Sequence, residues 1–267
     1  MTISGPAGRE GQADMGVPHS ARIWNFWLGG RDNYPVDRKA GNHILGWVPE
    51  LVISAKADRR FLARAVTHLA KAGVRQYLDI GTGLPTVDNT HEVAQRIAPD
   101  SRIVYVDNDP LVLVHAQALL TSSAEGSTAY IESDVNDPAR IIEKASASLD
   151  FSRPVAVMML GILNFVMDDD DARAIVGHLV DAVPSGSYLA ISHPTGEVGP
   201  EPMTRAVRYW NDQGAAPMRL RTREELESFF TGLELIDPGV VSCVHWNPEP
   251  GDDPIDVPHF CGVARKP

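Results

Sequence analysis

From Val74 onward, short apolar runs alternate with segments whose apolar residues recur every three or four positions. That is the pattern of strands separated by amphipathic helices. RQYLDI (75–80), RIVYVD (102–107), TAYIESD (128–134), PVAVMML (154–160) and GSYLAISH (186–193) read as strands. The fourth is almost wholly apolar, as expected where helices cover both faces of a sheet. Helical spacing predicts helices over 86–98, from Asp109-Pro110 onward, over 138–149, from Asp168–Asp171 up to Pro184, over 203–212 and over 222–231. Asp109-Pro110 supplies a capping carboxylate and a first-turn proline. LELIDPGVVSCVHW (233–246) and PHFCGVARK (258–266) read as two last strands with a hairpin-like connection. Strand–helix alternation implies a doubly wound, mostly parallel sheet with right-handed crossovers, and the last strand is expected to run antiparallel.

The first seventy residues carry helices without strands. A helix is expected over 54–72, capped by Ser54 and ended by Gly73. Ahead of it, in ARIWNFWLGGRDNYPVDR (21–38), Ile23, Trp24, Trp27 and Leu28 fall on one helical stripe, which Gly29-Gly30 ends. Two outcomes are open for this arm. Either the stripe packs on the domain and Arg31-Asp32 is a solvated turn, or the helix is a lid over the carboxyl edge of the sheet. In the second case Trp27, Arg31, Asn33 and Tyr34 face the ligand. The chain thus divides into a loose tail rich in Gly, Pro and polar residues (1–20), a helical arm (21–73) and a ligand-binding domain (74–267).

Composition narrows the function classes. The 267 residues are 43% hydrophobic and 22% charged, which suits one large α/β domain with appendages. The net charge of −11 runs against a nucleic-acid backbone as partner. Two cysteines, Cys243 and Cys261, make no disulfide framework, so a reducing, cytoplasmic setting is expected. The longest apolar run, PVAVMMLGILNFVM, is too short to span a bilayer, and the N-terminus lacks the order of a signal peptide.

In a doubly wound sheet the ligand sits at the carboxyl ends of the strands, near the switch in strand order. After the first strand comes DIGTGLPT, whose Gly81 and Gly83 permit a tight turn and close backbone approach. The helix that follows offers free N–H groups. Asp107 ends the second strand, placed to accept both hydroxyls of a ribose. Asp134 and Val135 follow the third strand, and LGILNF (160–165) follows the fourth. In this order and spacing, these features predict a site for a nucleoside-containing cofactor. A dinucleotide fingerprint needs Gly-x-Gly-x-x-Gly opening into a helix, yet here Thr86 takes the third glycine's place behind Pro85. Asp79 would also repel a pyrophosphate, while it suits a cationic amino group. A ligand with ribose, adenine and an α-ammonium but no phosphate fits better, and S-adenosylmethionine is that ligand.

YLDIGTGLPT, IVYVDNDPLVLVHAQALL, YIESDVNDP and MMLGILNFV resemble the successive cofactor motifs of class I S-adenosylmethionine-dependent methyltransferases. With the arm motif in front, residues 20–265 resemble an actinobacterial methyltransferase family of largely unassigned substrate. The resemblance implies a seven-stranded Rossmann-like sheet and methyl transfer from S-adenosylmethionine. It also implies roles for individual residues. Asp79 meets the methionine ammonium, Gly81, Thr82 and Gly83 line the amino-acid part, and Asp107 binds the ribose. Asn108 flanks the adenine, Asp134 and Val135 meet its amino group and ring edge, and Leu160 and Gly161 pass beneath the sulfonium. Asn164 then stands on the substrate side. Pro85 is a departure, standing near where many members of the class carry a third glycine.

Methyl transfer needs a base only when the acceptor must lose a proton. His193, at the end of the fifth strand, is the candidate, the alternative being a hydrogen-bonded histidine ahead of Pro194. Asp168–Asp171 reads as a helix cap, and no His/Cys cluster has zinc spacing, so no metal is expected. The fourth strand lacks the Asn/Asp-Pro-Pro-Tyr element that receives a flipped base, and Asn164-Phe165 is only a fragment of it. A small-molecule acceptor is therefore expected. A sensor module that binds the cofactor without turnover, or a nicotinamide-dependent oxidoreductase, are the alternative readings.

Overall fold

A computed structural model describes residues 16–109, 112, 114–115, 122–213, 216–249 and 255–267. The sheet contains β1 (Gln76–Ile80), β2 (Arg102–Asp107), β3 (Ser127–Glu132), β4 (Ala156–Leu160), β5 (Tyr188–Pro194), β6 (Glu234–Leu235), β7 (Val241–Ser242) and β8 (His259–Arg265). Their spatial order is β3-β2-β1-β4-β5-β8-β6, with β7 also on β8. β1 to β5 pair in parallel and β8 runs antiparallel to β5. The strand expected over 233–246 is instead two short pieces, β6 and β7, on the same edge of β8. Pro238 and Gly239 part them, since proline brings no N–H to the ladder and Gly239 turns at φ +84°.

Alternation along β1 shows how the sheet is held. Leu78 and Ile80 join Val104, Val106, Val157 and Met159 on one face, against Ile141 of α5 (Pro138–Ala145) and Leu179 of α6 (Asp169–Asp181). Tyr77 joins Ile103, Tyr105 and Met158 on the other, against Phe61, Ala65 and Leu69 of α3 (Leu51–Lys71) and Val93 of α4 (Thr90–Ile97). Period-two side chains sealed on both faces make a doubly covered sheet. α3 starts one turn before Ser54, because Leu51 is itself buried; the Ser54 hydroxyl bonds back to the Glu50 carbonyl at 3.2 Å. The helix expected from Asp109-Pro110 falls largely outside the described residues. Among the described residues no helix is long and apolar enough to cross a membrane.

A third cluster sits apart from the sheet. Ile23 and Trp27 of α1 (Ser20–Trp27), Ala40 and Ile44 of α2 (Pro35–Leu45) and Leu51 pack against Met203, Ala206 and Trp210 of α7 (Pro200–Asp212). The stripe of the N-terminal arm therefore meets a helix inserted after β5. α1 and α2 are joined by a buried ion pair: Arg22 Nε donates to Asp37 Oδ2 at 2.9 Å, with both side chains sealed from solvent. Asp37 also accepts from the backbone N–H groups of His19 and Tyr34, and the Arg22 guanidinium lies over the Tyr34 ring. Helix α8 (Arg223–Ser228), capped by Thr222, completes the layer over the antiparallel end.

Candidate functional site

The carboxyl ends of β1, β2, β3 and β4 open into one cavity of about 390 Å³. It lies where strand order reverses between β1 and β4, the point at which open α/β sheets take their ligands. All ten residues expected at a cofactor line it: Asp79, Gly81, Thr82, Gly83, Asp107, Asn108, Asp134, Val135, Leu160 and Gly161. α1 and α7 form its roof, through Trp24, Trp27, Leu28, Met203 and Trp210.

The turn after β1 is shaped by its glycines. Gly81 has φ +78°, and a Cβ there would run into the Ile162 side chain at 2.7 Å. Gly83 has φ +63°, and its N–H donates to Asp107 Oδ2 at 2.8 Å. The Asp109 N–H takes Oδ1 at 3.0 Å, and burial still holds the Asp107 carboxyl above the ordinary range. A carboxylate has about four acceptor positions, so Asp107 retains capacity for hydroxyl donors. α4 begins at Thr90, four residues later than expected, because Asn89 and Glu92 close a capping box around its first turn. Thr90 then donates its hydroxyl to Asp79 Oδ2 at 2.6 Å.

Asp79 is sealed, and burial pushes its carboxyl up to about 6, against the lowering effects of the Thr90 hydroxyl and Arg59. At Asp134 burial is outweighed by hydrogen bonds. Asn136 donates to Oδ1 from its backbone and side chain, Asn108 donates to Oδ2, and the group sits below the ordinary carboxylate range. The cavity thus offers a buried carboxyl, Asp79, at one end and a well-ionised acceptor, Asp134, at the other.

The family model described as S-adenosyl methyltransferase matches residues 6–267. The chain belongs to that family. A DUF574 family protein from Streptomyces avermitilis has 48% identity to it and a TM-score of 0.91, with 95% of this chain and 99% of that one covered. A protein of Thermobifida fusca that carries a methyltransferase assignment has 38% identity and a TM-score of 0.86, with coverage of 95% and 96%. Magnesium protoporphyrin IX methyltransferase from Synechocystis, solved with S-adenosylmethionine, shares the fold at 12% identity and a TM-score of 0.53, over 92% and 90% of the two chains. No curated protein matches the sequence. The chain is an S-adenosylmethionine-dependent methyltransferase with a Rossmann-like sheet.

Other residues of the methyltransferase lie differently from expectation. Trp27 and Asn164 line the cavity, but Arg31, Asn33 and Tyr34 do not. Arg31 is exposed. Asn33 is buried, donating to Asn25 Oδ1 and the Gly30 carbonyl at 2.9 Å each, and Tyr34 starts α2 beneath Arg22. Asn33 and the Asp32 N–H hold the Asn25 side chain, and Asn25 lines the cavity.

His193 is not the expected base. It does not line the cavity, its Nδ1 lies 2.7 Å from the Pro194 carbonyl, and its Nε2 lies 2.9 Å from Arg221 Nη1. With both nitrogens engaged and burial pushing it down to about 3, the ring is neutral and structural. Arg221 in turn donates to the Leu163 and Val166 carbonyls and to Asp169, tying β5 to the turn after β4. Asp168 caps α6 by accepting from the Asp170 and Asp171 N–H groups, as its position implied.

Four side chains that sequence reasoning missed also line the cavity. Arg59 on α3 donates to the Val87 and Asp88 carbonyls, while its buried Nε has no partner. Asn25 was passed over in the arm motif. Asp58 and His259 lie far apart in sequence and meet at the cavity wall, with Asp58 Oδ1 3.7 Å from His259 Nε2. Cys243 lies close to both, but burial and its neighbour Cys261 keep its thiol protonated.

Proposed function

We propose that this methyltransferase carries a methyl group from S-adenosylmethionine to a small, largely apolar acceptor held beneath the roof of α1 and α7. The observation that carries the reading is the continuity of one cavity from the acidic strand ends to an aromatic roof. When bound, S-adenosylmethionine supplies a methyl group on a sulfonium, already activated for displacement.

The donor set suits that cofactor. Asp79 would hold the ammonium, and the unpartnered Nε of Arg59 the carboxylate. Gly81, Thr82 and Gly83 would pass along the amino-acid part, Asp107 would accept from the ribose, and Asn108, Asp134 and Val135 would frame the adenine. Leu160 and Gly161 would form the floor beneath the sulfonium. The buried Oδ1 of Asn164 has no partner and lines the cavity, so it would orient an acceptor through one hydrogen bond. The roof excludes water and holds the reactants together, from which much of a displacement's acceleration can come. A net charge of −11 supports a small molecule over a nucleic acid. The free, buried Cys243 and Cys261 support a reducing, cytoplasmic setting.

The test is incubation of the purified protein with methyl-labelled S-adenosylmethionine and an extract of small molecules, protein and nucleic acid. Label is expected in the small-molecule fraction. Label confined to protein or nucleic acid would overturn the acceptor class.

A further inference from the structure

We propose that His259 is the catalytic base of this methyltransferase, positioned by Asp58, and that the acceptor is a planar hydroxyarene. The inference rests on the methyl-transfer reading above and names the substrate class and the proton acceptor of the same site.

β8 delivers His259 to the cavity. Its antiparallel register sets His259 opposite Pro194, at the carboxyl end of β5, beside the floor formed after β4. The ring lines the cavity and packs against Trp24 of the roof, with centroids 5.7 Å apart. Trp24 in turn meets Trp27 edge-on at 5.9 Å. A flat aromatic acceptor matches walls of this kind, because ring edges and faces attract one another in offset and T-shaped contacts.

The polar surroundings favour a neutral imidazole with one nitrogen free. Nε2 faces Ser192 Oγ at 3.3 Å and Asp58 Oδ1 at 3.7 Å, which places the ring proton on Nε2. Among the described residues Nδ1 has no hydrogen-bond partner. Asp58 Oδ1 is buried and otherwise unpartnered, a costly state for a carboxylate with no local task. The groups facing the ring are Asp58 from α3, Ser192 from β5 and the protonated Cys243 beyond β7, while His193 lies on the opposite face of the sheet. Burial lowers the basicity of His259 and Asp58 partly restores it, so the imidazole is in its proton-accepting form at neutral pH. Hydrogen bonds in catalytic pairs are often long before substrate binds, and the 3.7 Å separation is of that kind.

In the step itself the hydroxyl proton passes to Nδ1 of His259 while the acceptor oxygen bonds to the methyl carbon. The carbon–sulfur bond breaks with its electron pair returning to sulfur. The imidazolium, stabilised by Asp58, then releases its proton to water.

The test follows methyl transfer from S-adenosylmethionine to 2-naphthol across pH, with 2-naphthol binding measured by calorimetry on the full chain saturated in S-adenosylhomocysteine. The wild type is expected to bind 2-naphthol and to methylate it at a pH where free 2-naphthol is un-ionised. His259→Gln should lower that rate by roughly 10²–10⁴-fold and recover it as pH rises to where 2-naphthol ionises by itself, keeping S-adenosylhomocysteine affinity within about twofold. Asp58→Asn should lower kcat on the order of tenfold with little change in KM, as a positioning residue does. An unchanged rate and pH profile in His259→Gln would overturn the base, and failure of 2-naphthol to bind would overturn the acceptor class. Stoichiometric zinc in the purified protein, lost in Cys243→Ala, would overturn the proton role. If S-adenosylhomocysteine itself failed to bind the wild type, the methyl-transfer reading would fall, and this inference with it.

Discussion

Asp79 and Arg59 face the same cavity, and the Arg59 charge lowers the Asp79 carboxyl less than burial raises it. Burial pushes the Asp79 carboxyl up to about 6, so the folded protein holds a proton there that the unfolded chain releases near its ordinary value of 3.8. The native state therefore binds more protons between these two values. Its contribution to stability falls as pH rises through that window and is level above it. The slope is at most about 1.4 kcal/mol per pH unit, and Asp79→Asn should remove it in denaturant titrations at pH 4.5 and 6.5. Cofactor affinity runs the opposite way. An ammonium needs the carboxylate, so S-adenosylhomocysteine should bind more tightly as pH rises from 5 to 7. Calorimetry in buffers of different ionisation enthalpy should record a proton released. Arg59→Ala should weaken binding by roughly tenfold to a hundredfold, the worth of one charge-assisted hydrogen bond, and leave thermal stability close to that of the wild type.

Two polar connections fix the elements around the cavity. Arg22–Asp37 locks α1 to α2 with both side chains sealed from water. Removing one member leaves the other charge buried and uncompensated, so Asp37→Ala should cost about 3–5 kcal/mol in denaturant unfolding. His193→Ala leaves one Arg221 donor without an acceptor inside the protein and should cost about 1–3 kcal/mol. It should lower melting temperature and turnover together, where loss of a base would lower turnover alone. Strand positions were legible because a doubly covered sheet demands continuous apolar runs, which β2, β4 and β5 have, while the edge strand β3 is half-exposed and mixed. The break between β6 and β7 runs against the single strand expected there, although Asp237-Pro238-Gly239 is a turn signal inside that run. The start of α4 was harder to place. Thr86 and Asn89 are both plausible caps, and Glu92 favours Asn89.

Across the whole molecule the roof joins segments remote in sequence, with α1 from the arm and α7 from the insertion after β5. Deleting residues 1–35 would expose Met203, Ala206 and Trp210. The shortened chain should bind an apolar dye strongly and lose affinity for S-adenosylhomocysteine. Unchanged affinity and melting temperature would show that the arm serves neither role. Motifs at the strand ends were readable because local chain order places them, one after each strand. The dyad at the wall was not, since Asp58 and His259 become neighbours only when β8 inserts beside β5. For the same reason the inward or outward turn of Arg31, Asn33 and Tyr34 was undetermined. Asn25 and Asp37 draw the last two into the bracing of the arm.

Floor and roof are held by different forces. Directional bonds from Arg221 pin the turn that carries Asn164, while α1 and α7 meet through apolar contacts that tolerate repacking. Substitutions in the roof can therefore reshape the space for an acceptor while the bonds beneath hold the reacting geometry in place. Such a division lets the choice of acceptor drift between lineages while methyl donation stays constant.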